Sequence, residues 1–277
     1  MKLLGVATSN YQKYLDTPLD GFVFPLENYA VDYFKYFTIE DIKEYKSKTT
    51  KECFVVINKM IFNKDIPNLI TILKTLADLN VTGVFFYDMA ILNIVKEHNI
   101  NLNLIFNETH LVTNSDTINL YYNLGVKGAY LSNEITLDDI LTIRKKTKSE
   151  LFVMLLGNPV AAMSKRHLLT SYFLHNSKPK KDTITIKEPV TKGEFLVKET
   201  DLGTTFFYNK ILNLSNVYLK LQNNGINYGI INEGNFTTDE YISLINNFKD
   251  FNKSAIDKIA GHNRGFLYRE TIYKVKR

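Results

Sequence analysis

Cysteine is nearly absent from this sequence: Cys53 is the one thiol in 277 residues. That excludes an internal disulfide, and any cysteine-rich zinc or iron–sulfur site supplied by this chain alone. The neighbours Phe54-Val55-Val56-Ile57 predict that the thiol is buried and inert. Tryptophan is missing altogether. No apolar run reaches the roughly 20 residues of a membrane-spanning helix. The N-terminus shows no charged leader, apolar block and small-residue cleavage site. A cytoplasmic protein without membrane association is expected. There is no GxSxG elbow and no HExxH pair, so neither a serine hydrolase of the usual kind nor a zincin is supported. The histidines His98, His110, His167, His175 and His262 show no ligand spacing, and no metal site is predicted.

What is present is a chain 45% hydrophobic and 23% charged, enough for one large core, so a single domain spanning 1–277 is expected. The net charge of +5 permits an anionic partner without demanding one. Short apolar strands alternate with helical periods. Strands are predicted at Leu3 to Ala7, Gly21 to Pro25, Glu52 to Asn58, Val81 to Tyr87, Leu102 to Phe106 and Gly128 to Leu131. Helices fall at Ile39 to Lys48, Ile66 to Leu79, Met89 to His98, Asp116 to Leu124 and Leu137 to Lys146, with Thr38 as an N-cap and Gly125 as a C-terminal cap. A seventh strand opens at Glu150, and its fully apolar run implies burial on both faces, with Ser164, Lys165 and Arg166 emerging at its exit. The alternation then breaks. Residues 178–200 read as a hairpin insertion, before a helix at Ile211 to Asn223, an eighth strand at Tyr228 to Ile231, a last long helix at Asp239 to Phe248 and a basic tail over 261–277. The expected class is α/β, a (β/α)₈ TIM-type barrel with a β-hairpin inserted near 180–200. An open doubly wound sheet shares the same local pattern.

In either architecture sites are built at the carboxyl ends of the strands. Asn107-Glu108, with His110 and Asn114, follow strand five; Ser132-Asn133-Glu134 follow strand six; Ser164-Lys165-Arg166 follow strand seven; Asn232-Glu233 follow strand eight. Gathered at one mouth they would surround an anion or nucleobase site. Glu108 and Glu134 are the candidate acid and base, with Asn107, Asn114, Ser132, Ser164, Lys165, Arg166 and Glu233 as substrate-binding groups. Each has a blander reading: Glu134 and Glu233 precede helices, where a carboxylate favours the N-terminal dipole. Lys178, Lys180 and Lys181 are candidate phosphate contacts, or simply a solvated loop.

At these residues the chain resembles the collagenase-like peptidase U32 family. The resemblance rests on Glu108 with Thr113-Asn114, on Leu124-Gly125-Val126 leading to Leu131-Ser132-Asn133-Glu134-Ile135, on Gly157 with Ser164-Lys165-Arg166 and Leu168-Leu169, and on the closing GFLYRETIYKVKR. It implies a barrel. It also implies either a collagenase-like peptidase or a catalytic or accessory component of RNA hydroxylation, at tRNA wobble uridine. The sequence departs from the family pattern at Val160, where a cysteine is expected, at Leu156, where a histidine commonly stands, and at Asn133, where an arginine often precedes the glutamate. Those departures remove a cluster ligand. They point to no cofactor from this chain alone, and to a non-catalytic or accessory paralogue working beside a family member that retains its cysteines, with tRNA as the expected partner.

Overall fold

The alternation of period-two strands with period-3.6 helices is carried into the computed structural model, which describes residues 1–108, 110–189 and 193–269. Seven strands, β1 (Lys2–Val6), β2 (Gly21–Pro25), β3 (Glu52–Ile57), β4 (Gly83–Phe86), β5 (Leu104–Phe106), β6 (Gly128–Tyr130) and β7 (Glu150–Gly157), run parallel in chain order. Between them lie α1 (Ile39–Lys48), α2 (Ile66–Asp78), α3 (Met89–Glu97), α4 (Ser115–Asn123) and α5 (Leu137–Lys146). After β7 the chain makes β8 (Val160–Ser164), α6 (Leu168–His175), β9 (Thr183–Lys187), β10 (Glu194–Thr200), β11 (Gly203–Tyr208), β12 (Leu212–Asn213) and α7 (Tyr218–Asn223). It then returns as β13 (Tyr228–Ile231), followed by α8 (Thr238–Lys249) and α9 (Lys253–Ala260). β13 pairs in parallel with both β7 and β1, closing an eight-stranded barrel.

Side-chain alternation builds two apolar layers. One residue set, including Leu4, Val6, Val23, Phe54, Phe85, Phe152 and Tyr228, fills the barrel interior. Phe152 and Tyr228 stack there with centroids 4.3 Å apart. The intervening residues face the helices, and Cys53 is among them, fully buried. Burial pushes its thiol up to about 12, so it stays protonated and inert. Helix starts are set locally. Thr38, Thr136 and Thr237 each accept from the backbone N–H three residues on, and Asp41, Asp139 and Glu240 accept in return from the threonine N–H.

Three expectations need correction. The apolar run from Glu150 does not continue as one strand to Ser164: β7 ends at Gly157, whose φ of 146° is a left-handed value that favours glycine, and Pro159 follows. The next strand, β8, belongs to a different sheet, so Ser164, Lys165 and Arg166 lie at the far end of that sheet and not at the barrel strand's exit. The β9–β10 hairpin is present near 180–200, but it is half of a four-stranded antiparallel sheet in the order β8-β11-β10-β9, and the insertion spans residues 160–208. Finally, 211–223 is not one helix. Leu212 pairs antiparallel with Gly157, and Asn213, fully buried, bonds to Asp257 Oδ1 at 2.9 Å. A short 3-10 turn at Ser215–Val217 precedes α7. Of the basic tail, 270–277 lie outside the described residues.

Candidate ligand-binding site at the barrel mouth

The barrel interior ends at its carboxyl face on an apolar floor of Val6, Val23, Phe85, Tyr130, Met154 and Ile230. Above that floor stands a polar rim built from one residue after each of several strands: Asp32, Asn58, Asn107, Asn133, Asn158 and Asn232. Five of these six are carboxamides. The innermost space is small, about 50 Å³, and it widens outward into clefts of about 210 Å³ and 620 Å³. Val160, where the family resemblance leads one to expect a cysteine, lines all three.

Most rim amides are held by the backbone. Asn58 Oδ1 accepts from Val31 N–H at 2.8 Å, Asn158 Nδ2 donates to the carbonyls of Tyr208 and Asn209 at 2.9 and 3.2 Å, and Asn232 Oδ1 accepts from Gly234 N–H at 3.1 Å. These bonds fix the orientation of the side chains at the mouth. Asn107 differs. It is 5% exposed, and its Oδ1 has no hydrogen-bond partner among the described residues. A buried acceptor left unmade costs about 1–3 kcal/mol, so this is where a ligand donor gains most. Burial raises the hydroxyls of Tyr33 and Tyr130, which remain neutral donors at the same mouth.

The inserted sheet covers one side of this mouth by gripping the long loop after β2. Thr205 Oγ1 donates to Asp32 Oδ1 at 2.8 Å, Lys198 Nζ donates to the carbonyls of Tyr33 and Phe34 at 3.2 and 2.7 Å, and Phe207 stacks on Phe34 at 4.7 Å. Lys165 Nζ lies 3.7 Å from the centroid of the Phe62 ring on the loop after β3. Asp32 sits in this seam with φ 69°. Burial raises its carboxyl to about 6, against the lowering effects of the Thr205 bond and of His110, with Glu108 pushing the same way as burial. It is a carboxyl that exchanges a proton near neutral pH inside a cleft.

The residues singled out from sequence divide by location. Asn107 is in the mouth, and Glu108 borders the 210 Å³ cleft with His110. Glu108 Oε2 also accepts from the His110 and Leu111 N–H groups at 3.0 and 2.5 Å, shaping its own turn. Glu134 borders the 620 Å³ cleft, its Oε1 3.5 Å from His110 Nδ1; the cap of α5 is Thr136, so Glu134 is not spent there. Ser132 is buried and accepts from Glu134 N–H at 3.2 Å. Asn114 is the exposed N-cap of α4, accepting from Thr117 N–H at 2.9 Å. Glu233 is buried and accepts from Tyr14 Oη at 2.7 Å, from Asn10 Nδ2 at 3.1 Å and from the Thr8 hydroxyl, tying the exits of β13 and β1 together. Ser164 Oγ accepts from Arg166 N–H at 3.2 Å, and Lys165 and Arg166 are exposed on the insertion. Lys178, Lys180 and Lys181 are exposed beside α6, with Lys180 Nζ paired to Asp182 at 3.1 Å.

Asp32, Tyr33, Asn58 and Asn158 escaped the sequence reading. The available signal was loop length: the segment between β2 and α1 runs from 26 to 38, long enough to mark a functional loop. Among the described residues no group of three or more His, Cys, Asp or Glu is arranged to hold a metal ion, and no helix is long and apolar enough to cross a membrane.

Two characterised proteins are similar over part of their length. The chain is 27% identical over 145 residues to the tRNA hydroxylation protein P2 of Bacillus subtilis (strain 168), covering 51% of this chain and 47% of that protein. It is 25% identical over 136 residues to the tRNA hydroxylation protein P of Haemophilus influenzae, covering 49% of this chain and 29% of that protein. The match thus spans about half of the first relative and under a third of the second. Among solved structures, a mutant tryptophan synthase alpha-subunit from Pyrococcus furiosus superposes with a TM-score of 0.47 at 10% identity over 94% of each chain. The model of peptidase family U32 matches residues 26–275, from the loop after β2 through the barrel, the insertion and the C-terminal segment, and the chain belongs to that family.

Proposed function

We propose that this chain acts in the hydroxylation of tRNA, binding and orienting an everted uridine, the wobble base, at the barrel mouth. The observation that carries the reading is the carboxamide rim, with the Asn107 acceptor unpaired among the described residues. A pyrimidine edge alternates N–H donors and carbonyl acceptors, and carboxamides match both, while an apolar floor suits the ring's faces. The names of the two relatives support the same substrate class. The redox chemistry is assigned elsewhere. Val160 presents an isopropyl group to the cleft, and the chain's one thiol, Cys53, is buried on the outer face of β3, so these residues do not fit an iron–sulfur cluster. The chain therefore works as an accessory component in the cytoplasm, beside a family member that retains its cysteines, with Asp32 available to give or take a proton at the bound base.

The test is tRNA binding as a function of salt, with the chain alone and with copurifying protein. Affinity is expected to fall steeply as salt rises, because each neutralised phosphate releases counterions. Asn107→Leu should weaken binding about tenfold without altering the slope, since it removes a base contact, whereas Lys165→Glu should make the slope shallower by about one unit. Absence of tRNA binding at low salt in both preparations would remove this reading.

A further inference from the structure

We infer that the 620 Å³ cleft beside the mouth is a second nucleotide subsite, which holds the residue next to the everted base, so that the ligand is a single-stranded RNA segment and not an isolated nucleoside. The inference rests on the reading of the mouth as an RNA site and names its neighbour. The cleft is continuous with the mouth through Asn133 and Val160, and it lies between the inserted sheet and the C-terminal segment. Its size falls within the roughly 300–1,000 Å³ of small-molecule sites, while the mouth at about 50 Å³ leaves no room for a second nucleotide beside the everted base.

The lining has the composition that single-stranded RNA asks for. Phe195 and Tyr208, directly paired across β10 and β11, present half-buried rings with centroids 5.6 Å apart, and Phe266 faces the cleft from the C-terminal segment. Rings so placed offer a stacking surface that tolerates any base. The charges sort in the same sense. Glu194 is engaged by Lys187 at 2.8 Å and by Asn209 Nδ2 at 3.0 Å, and Glu134 faces His110 at 3.5 Å. Among the described residues, Lys210 and Arg269, both exposed, are lysine and arginine side chains that line the cleft and can meet a phosphate there. An aromatic wall with flanking cations, opening off an amide-lined mouth, places a backbone phosphate and its neighbouring base outside the position where one base is everted.

The experiment compares uridine with a pentanucleotide of five uridines, binding being followed by saturation-transfer NMR and calorimetry on the full chain. The wild type is expected to bind the pentanucleotide at least about tenfold more tightly than uridine. The Lys210→Ala, Arg269→Ala double variant, whose positions are exposed, should lose roughly 5- to 10-fold in pentanucleotide affinity and flatten its salt dependence, with uridine binding unchanged. Phe195→Ala should lose a similar factor without changing the salt dependence. Equal pentanucleotide affinity in wild type and both variants overturns the inference while Asn107→Leu still reports on the mouth. Equal affinity of the wild type for uridine and pentanucleotide overturns it too. If neither ligand binds, the reading of the mouth falls and the second subsite falls with it.

Discussion

At neutral pH the Asp32 carboxyl carries a charge that its surroundings disfavour. Its folded value of about 6 lies above the roughly 3.9 of a free aspartate, so the folded protein binds the proton more tightly than the unfolded chain does. Stability contributed by this group is present below about pH 4 and is lost as pH rises through about 6. Asparagine in its place accepts the same Thr205 hydroxyl bond and tolerates the φ of 69°. Asp32→Asn is therefore expected to stabilise the protein at pH 7 by about 1–2 kcal/mol, the full shift being discounted for partial exposure, and to flatten the fall between about pH 4 and 6. Urea unfolding across that range checks it, and a variant as pH-sensitive as the wild type would show that Asp32 is not the group responsible. A residue that costs stability where it stands, inside a cleft, is the usual mark of a retained function.

At the scale of elements, the inserted sheet grips the loop after β2 through Lys198, beside the Thr205–Asp32 bond and the Phe207–Phe34 stack. The Lys198 ammonium is buried enough for its pKa to be lowered, and it bonds two backbone carbonyls of the loop after β2 while lying 5.5 Å from the centroids of the Phe34 and Tyr36 rings. Lys198→Ala leaves those carbonyls without their charged donor. Amide exchange in β8 to β11 is expected to speed up about tenfold, with new proteolytic cuts confined to residues 160–208 and the barrel's own unfolding little changed. Cuts spread evenly through the barrel helices would contradict this. The hairpin at the centre of this sheet was legible because its two strands are local in sequence. The pairing of β8 with β11 was not, since Val160 and Phe207 meet only once the chain between them has folded.

At the scale of the molecule, the barrel is held by an aromatic interior directly beneath the mouth. Phe152 is fully buried, with Tyr228 stacked at 4.3 Å, Phe85 at 5.0 Å and Phe54 at 5.5 Å. Phe152→Ala should cost about 3–5 kcal/mol, because it removes a large apolar side chain and leaves a cavity that four strands cannot collapse around. The loss should appear as one cooperative shift in thermal unfolding that also includes the mouth, since Phe85 is part of both the plug and the floor. A shift below about 1 kcal/mol would mean that the interior repacks, and that the floor of the site is not rigid.

The sequence by itself determined the order of the eight barrel strands and of the helices between the second and the seventh, because those depend on periodicity and on caps such as Thr38 with Asp41 that act within a few residues. It also determined that one thiol is present and, from its apolar neighbours, that this thiol is buried. The tertiary structure decided everything that depends on contacts between distant strands. Closure of the barrel comes from β13 lying between β7 and β1, and a local pattern does not distinguish that from an open sheet. Which polar residues face the mouth was likewise decided by side-chain direction after folding. Glu233 turns toward Thr8, Asn10 and Tyr14, while Asn158, one residue past the glycine that ends β7, turns inward. Asp32 acquires its raised pKa only through burial in the folded cleft, where the hydroxyl of Thr205, 173 residues away, bonds it and pulls the value the other way. No span of sequence short enough to read by pattern contains both residues.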